Sequence, residues 1–96
     1  MREVHQTEVF AEWLARLRDR RAAARIAVRV DRLALGNPGQ VEAVGEGVSE
    51  LKIDYGPGYR VYFTGPGDRI ILLLCGGDKS SQTQDIRRAK DLARRL

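Results

Sequence analysis

Hydrophobic positions along the chain change period once, and the change divides it into elements. Phe10, Trp13, Leu14 and Leu17 recur at helical spacing behind Thr7, a residue type that caps helix N-termini. Asp19-Arg20-Arg21 interrupts the stripe, which resumes in Ala23, Ile26, Ala27, Val30, Leu33 and Ala34 with Arg21, Arg25, Arg29 and Arg32 off it. Gly36-Asn37-Pro38-Gly39 holds both residue types that stop a helix. Two antiparallel helices joined by a short turn are therefore predicted. Beyond Gly39 the period becomes two: Leu51, Ile53 and Tyr55 alternate with Glu50, Lys52 and Asp54, the mark of a half-buried strand. Gly45 and Gly47 ahead of it suggest a bulge or irregular entry.

Gly56-Pro57-Gly58 reads as a tight connector into a strand over residues 59–64, and Gly65-Pro66-Gly67-Asp68 as the next turn. The run from Ile70 to Cys75 is apolar throughout, as in a central strand covered on both faces. Gly76-Gly77 is expected to close it, and Ser81 with Gln84 fits a capping box. Ile86, Ala89, Leu92, Ala93 and Leu96 then mark a terminal helix. With a short edge strand at residues 3–6, the order is β-α-α-β-β-β-α. This predicts an α+β fold: a small, twisted, mainly antiparallel sheet, two N-terminal helices packed on it, and a C-terminal helix.

Composition narrows the picture. A chain of 96 residues without repeats or linkers makes one domain, residues 1–96. The longest apolar run is strand-sized and Met1-Arg2-Glu3-Val4-His5-Gln6 has no signal-peptide core, so a cytoplasmic protein without a membrane contact is expected. One cysteine excludes an internal disulfide framework, and one histidine leaves no cluster with metal-ligand spacing, so neither metal nor cofactor is expected. Cys75 ends an apolar run with His5 far away in sequence, which favours a buried hydrophobe over a nucleophile. Seventeen Lys and Arg against thirteen Asp and Glu give a net charge of +4, which favours an acidic or polyanionic partner, nucleic acid first.

Strand parity locates candidate chemistry. With Leu51, Ile53, Val61 and Phe63 facing the helices, Glu50, Lys52, Asp54, Arg60, Tyr62 and Thr64 face the other way. Lys52, Arg60 and Tyr62 would then share an open basic face beside the Gly76-Gly77-Asp78-Lys79-Ser80-Ser81 loop. Such a face suits single-stranded RNA, with cations on phosphates and a ring under a base. Each part also has a plain structural reading: a solvated strand face, cross-strand packing for Tyr62, a turn at Gly76-Gly77, and a helix-dipole role for Asp85.

Two longer stretches are more specific. Residues 47–63, Gly-Val-Ser-Glu-Leu-Lys-Ile-Asp-Tyr-Gly-Pro-Gly-Tyr-Arg-Val-Tyr-Phe, resemble the hallmark segment of the HigB-like addiction module killer proteins, a branch of the RelE/ParE toxin superfamily. So do residues 72–82, Leu-Leu-Leu-Cys-Gly-Gly-Asp-Lys-Ser-Ser-Gln, followed by Asp85-Ile86 and Ala89. Phe10, Trp13-Leu14 and Arg25-Ile26 extend the likeness over nearly the whole chain.

The resemblance implies the RelE-like, microbial RNase-like fold and the toxin half of a type II toxin–antitoxin pair. The implied partner is a cognate helix-turn-helix antitoxin of the HigA/Xre type, through which alone operator DNA would be reached. Many RelE-type toxins cut mRNA on the ribosome, which implies a metal-independent endoribonuclease that blocks translation. ParE-type toxins share the fold and inhibit DNA gyrase instead, and a non-toxic RNA-binding module is a further alternative.

By the same resemblance Arg60 takes the place of a phosphate-contacting catalytic arginine, Lys79 of a second basic catalytic residue, and Lys52 lies on the lysine-bearing strand. The tyrosine of RelE's last helix region has no counterpart in Gln82-Thr83-Gln84-Asp85, which leaves Tyr62 or Tyr59 to stack a base. Asp78 and Asp85 are the carboxylate candidates for a general base, and Lys79 or Lys52 for donor or electrostatic stabiliser.

Overall fold

A computed structural model of the chain describes residues 1–65 and 69–96. The first strand, β1 (Glu3–Gln6), leads into helices α1 (Glu8–Arg16) and α2 (Arg20–Ala34). Strands β2 (Val41–Gly45), β3 (Val48–Ile53), β4 (Tyr59–Thr64) and β5 (Ile70–Asp78) follow. A 3-10 turn (Lys79–Ser81) and helix α3 (Gln82–Arg94) end the chain. The described strands form one mixed sheet in the order β1-β5-β4-β3-β2, antiparallel except for β1 alongside β5. The α+β class, the two N-terminal helices and the terminal helix agree with the sequence reading. The turn expected at residues 65–68 lies, for 66–68, outside the described residues.

Local chemistry accounts for the helix starts. The Thr7 hydroxyl accepts from the Phe10 amide at 3.1 Å, and the Asp19 carboxylate accepts from the amides of Arg21 and Ala22. Thr7 also donates to the Leu74 carbonyl at 2.6 Å. Leu74 is the residue that the β4–β5 register skips, with Tyr62 opposite Cys75 and Phe63 opposite Leu73. The helix cap thus also engages the carbonyl of a β-bulge in the centre of the sheet.

Both faces of the sheet are covered, which divides the core in two. Phe10, Ile26, Leu33, Leu51, Ile53, Val61, Phe63, Ile71 and Leu73 join under α1 and α2. Val48, Tyr62, Leu74 and Cys75 pack with Ala89 of α3 on the other face. A Val, Leu, Ile or Phe side chain fully buried there contributes roughly 1.5–3 kcal/mol. The face expected to lie open is therefore largely roofed by α3.

Three local expectations change. Residues 41–45 form a paired edge strand, exposed at nearly every position, where the sequence suggested only an irregular entry. Gly76 and Gly77 lie inside β5 and do not end it. A Cβ on Gly76 would fall inside the Trp13 indole, and one on Gly77 would meet the Asp85 carboxylate and the Ser81 hydroxyl. Ser81 makes no capping bond to the backbone of α3; its hydroxyl donates to Asp85 instead. Among the described residues no helix is long and apolar enough to cross a membrane.

Gly76→Ala is expected to cost about 1–3 kcal/mol, the usual penalty of overpacking, read from the urea midpoint. The Cys75 thiol, pushed up to about 12 by burial and by the nearby Asp85 charge, should resist alkylation at pH 8 in the folded protein and react on unfolding.

Candidate functional site

The sheet register sets two rows of residues on the α3 face. Glu50, Tyr62 and Cys75 lie side by side across β3, β4 and β5, and Lys52, Arg60 and Gly77 form the next row. Gln82, the first residue of α3, reaches the first row: its side-chain amide donates to both Glu50 carboxylate oxygens, at 2.9 and 3.2 Å. Beyond that contact a pocket of about 210 Å³ opens, lined by Gln40, Lys52, Asp54, Arg60 and Lys79. Three cations that the sequence singled out, Lys52, Arg60 and Lys79, are thus brought together.

Each is held differently. The Lys52 ammonium donates to Glu42 on β2 at 2.5 Å, a contact that lowers the pKa of that carboxyl. The backbone of Lys52 is fixed as well, its amide bonded to the Gln40 carbonyl and its carbonyl taken by Arg29 at 2.8 Å. Arg29 also donates to the Pro38 carbonyl, so one guanidinium ties α2 to the pocket wall. Lys79 enters from the 3-10 turn, its amide bonded to the Gly58 carbonyl at 3.1 Å. Gly58 has φ +84°, and a Cβ there would press on the Lys79 stem at 2.7 Å. Glycine is therefore required twice over, for the turn and for the approach of Lys79.

Arg60 is the most constrained. Its side chain is 9% exposed, with Nε 3.6 Å from Glu50 Oε1, and Glu50 itself is 1% exposed. Nη1 donates to the Tyr59 carbonyl at 3.1 Å. Burying a charge pair is costly unless its remaining valences are satisfied; the Gln82 amide supplies two bonds to Glu50, while Arg60 Nε faces Glu50 without a hydrogen bond among the described residues.

The other candidates fall elsewhere. Tyr62 is fully buried, with its hydroxyl in the field of Glu50, and burial raises its pKa. Its ring has no free face for a base, so the stacking role expected of it is not available in this fold. Tyr59 points to the opposite side of the sheet, where its ring meets Trp13 edge-on at 6.3 Å. Asp78 caps the 3-10 turn, accepting from the Ser80 amide and hydroxyl, and those bonds hold its carboxyl below the usual range. Asp85 accepts from Ser81 at 2.5 Å and does not line the pocket. The carboxylate on the pocket wall is Asp54, which the sequence reading placed on this face without giving it a role. Glu50 was likewise passed over, since alternation identifies a face but not what roofs it.

The pocket thus gathers three cations, two of them already paired with carboxylates (Lys52 with Glu42, Arg60 with Glu50), beside the carboxylate of Asp54. Among the described residues no group of His, Cys, Asp and Glu is placed to hold a metal ion. The histidine, His5, stands on β1, at the far edge of the sheet from β3. Arg60→Ala should destabilise the fold by about 3–5 kcal/mol, because it leaves the buried Glu50 without its cation. Lys79→Ala, at an exposed position, should stay within about 0.5 kcal/mol. Urea unfolding of both proteins checks the contrast.

Comparison with known proteins supports the likeness seen in the sequence at the level of a RelE/HigB-type family. An uncharacterized protein of Haemophilus influenzae (strain ATCC 51907 / DSM 11121 / KW20 / Rd) is 46% identical over 94 residues, covering 98% of this chain and 95% of that one. The phage-derived, Gp49-like family (DUF891) matches residues 12–96. The chain belongs to this Gp49-like family, a toxin-like family of the RelE/HigB type.

Proposed function

We propose that the protein is the toxin of a type II toxin–antitoxin pair and acts as a ribosome-dependent mRNA endonuclease. The observation that carries this reading is the convergence of Lys52, Arg60 and Lys79 on one pocket with Asp54 beside them. Such a group matches the demands of RNA cleavage by the neighbouring 2′-hydroxyl, a reaction open to RNA and closed to DNA.

The 2′-oxygen attacks phosphorus and forms the new P–O2′ bond while the P–O5′ bond breaks, giving a 2′,3′-cyclic phosphate and a 5′-hydroxyl. Asp54 takes the 2′ proton, and Lys79 gives a proton to the departing 5′ oxygen; exchange with water restores both. The part of Arg60 is to bind the phosphate with its guanidinium and hold the charge that builds on the phosphorane. Lys52 adds a second cation once a phosphate replaces Glu42 as its partner. Acid–base groups of this kind suffice when the ribosome orders the substrate, since positioning supplies much of the rate. A helix-turn-helix antitoxin is the proposed neutralising partner, with charge complementarity to the basic pocket assisting its encounter.

Induced expression should arrest growth, and mapping mRNA 5′ ends should show cuts within translated codons. Lys79→Ala and Asp54→Asn should relieve the arrest and lower cleavage by roughly 10²–10³-fold without unfolding the protein. Intact mRNA together with blocked gyrase supercoiling would replace this reading by the ParE-type one. Harmless expression would leave a plain RNA-binding module.

A further inference from the structure

We infer that Glu50 is a positioning residue for the reaction, holding the Arg60 guanidinium so that one nitrogen is presented to the scissile phosphate. The inference rests on the ribonuclease reading above. Glu50 does not line the pocket and is 1% exposed, so it touches no substrate. Arg60 does line the pocket, although its side chain is 9% exposed. Two of its three nitrogens are turned inward: Nε lies 3.6 Å from Glu50 Oε1, and Nη1 donates to the Tyr59 carbonyl at 3.1 Å. Nη2 has no hydrogen bond among the described residues. The guanidinium is therefore held by one ion pair at Nε and one hydrogen bond at Nη1, and its third nitrogen is left unbonded among the described residues.

Packing alone does not call for this pair. Its neighbours on the α3 face, Val48, Leu74, Cys75 and Ala89, hold the helix to the sheet with apolar contacts. An apolar pair at positions 50 and 60 would do the same without taking charges out of water. What apolar residues cannot do is orient a long, flexible cation before substrate arrives. Gln82 completes the device from a third element, steering the Glu50 carboxylate with bonds of 2.9 and 3.2 Å. Preorganised charge of this kind raises the rate of the chemical step more than it tightens binding.

The test is a set of single-turnover measurements on an mRNA fragment in programmed ribosomes. Glu50→Gln keeps the shape and removes the charge. It should lower the rate constant about tenfold or more while half-saturation moves by less than about threefold. The loss should depend on Arg60. In an Arg60→Lys background Glu50→Gln should cost less than about twofold, and in a Lys79→Ala background the full factor should persist. An equal loss in both backgrounds, or none in the unsubstituted protein, overturns the inference.

A second measurement needs no variant. The Nε proton of Arg60 should exchange with water far more slowly than that of exposed Arg18, and equal rates would also overturn it. If Arg60→Lys and Lys79→Ala abolish cleavage while Glu50→Gln does not, this inference alone fails. If the wild-type chain cuts no RNA, the ribonuclease reading fails and takes this one with it.

Discussion

The carboxylate of Glu50 is shut away from water in the middle of a sheet, and three elements must be in place to satisfy it. Its own strand supplies the position, β4 the cation, and α3 the amide. An unsatisfied carboxylate in that place would cost several kcal/mol, a large share of what a domain of this size has in hand. The position of α3 over the sheet is thereby tied to a polar contact as well as to Tyr62, Leu74, Cys75 and Ala89. The pocket lies ahead of the first turn of α3, with Lys79 of the preceding 3-10 turn on its wall.

The opposite face works by different means. There α1 and α2 lie on an apolar surface, and the precise fits come from absent side chains. Gly76 leaves room for the Trp13 ring, whose edge-on neighbour is Tyr59. Arg29, on α2, connects this layer to the pocket by holding the carbonyls of Pro38 and Lys52. Structural arginine and pocket arginine thus differ in what they bind: Arg29 spends its fork on backbone oxygens, while Arg60 pairs with the Glu50 carboxylate and gives one hydrogen bond to the Tyr59 carbonyl.

Much of this was legible in the sequence because period and parity are local. The stripes Phe10–Trp13–Leu14–Leu17 and Ile26–Val30–Leu33 gave the helices, and the alternation from Glu50 to Asp54 gave the face that carries Lys52. What escaped depends on partners distant in the chain. The β2 edge strand buries too little to show an apolar pattern, since Val41, Glu42 and Ala43 are all exposed. Two glycines inside β5 look like a turn until Trp13 and Asp85 are seen to occupy the space beside them. Tyr62 and Glu50 read as surface residues because alternation cannot tell a face left to water from one covered by a helix thirty residues away. The bulge at Leu74, which puts Leu74 and Cys75 together under α3, leaves no trace in an unbroken apolar run.

The reach of Gln82 has a consequence for how the molecule is made. Its amide closes the polar layer from the last helix, so Glu50 and Arg60 are synthesised well before the group that completes their surroundings. A chain still emerging from its own ribosome holds the sheet residues of this layer without the helix that covers Glu50. Assembly of this polar layer therefore waits until α3 has been made, and a chain cut short before Gln82 would lack the amide on Glu50 along with part of the core.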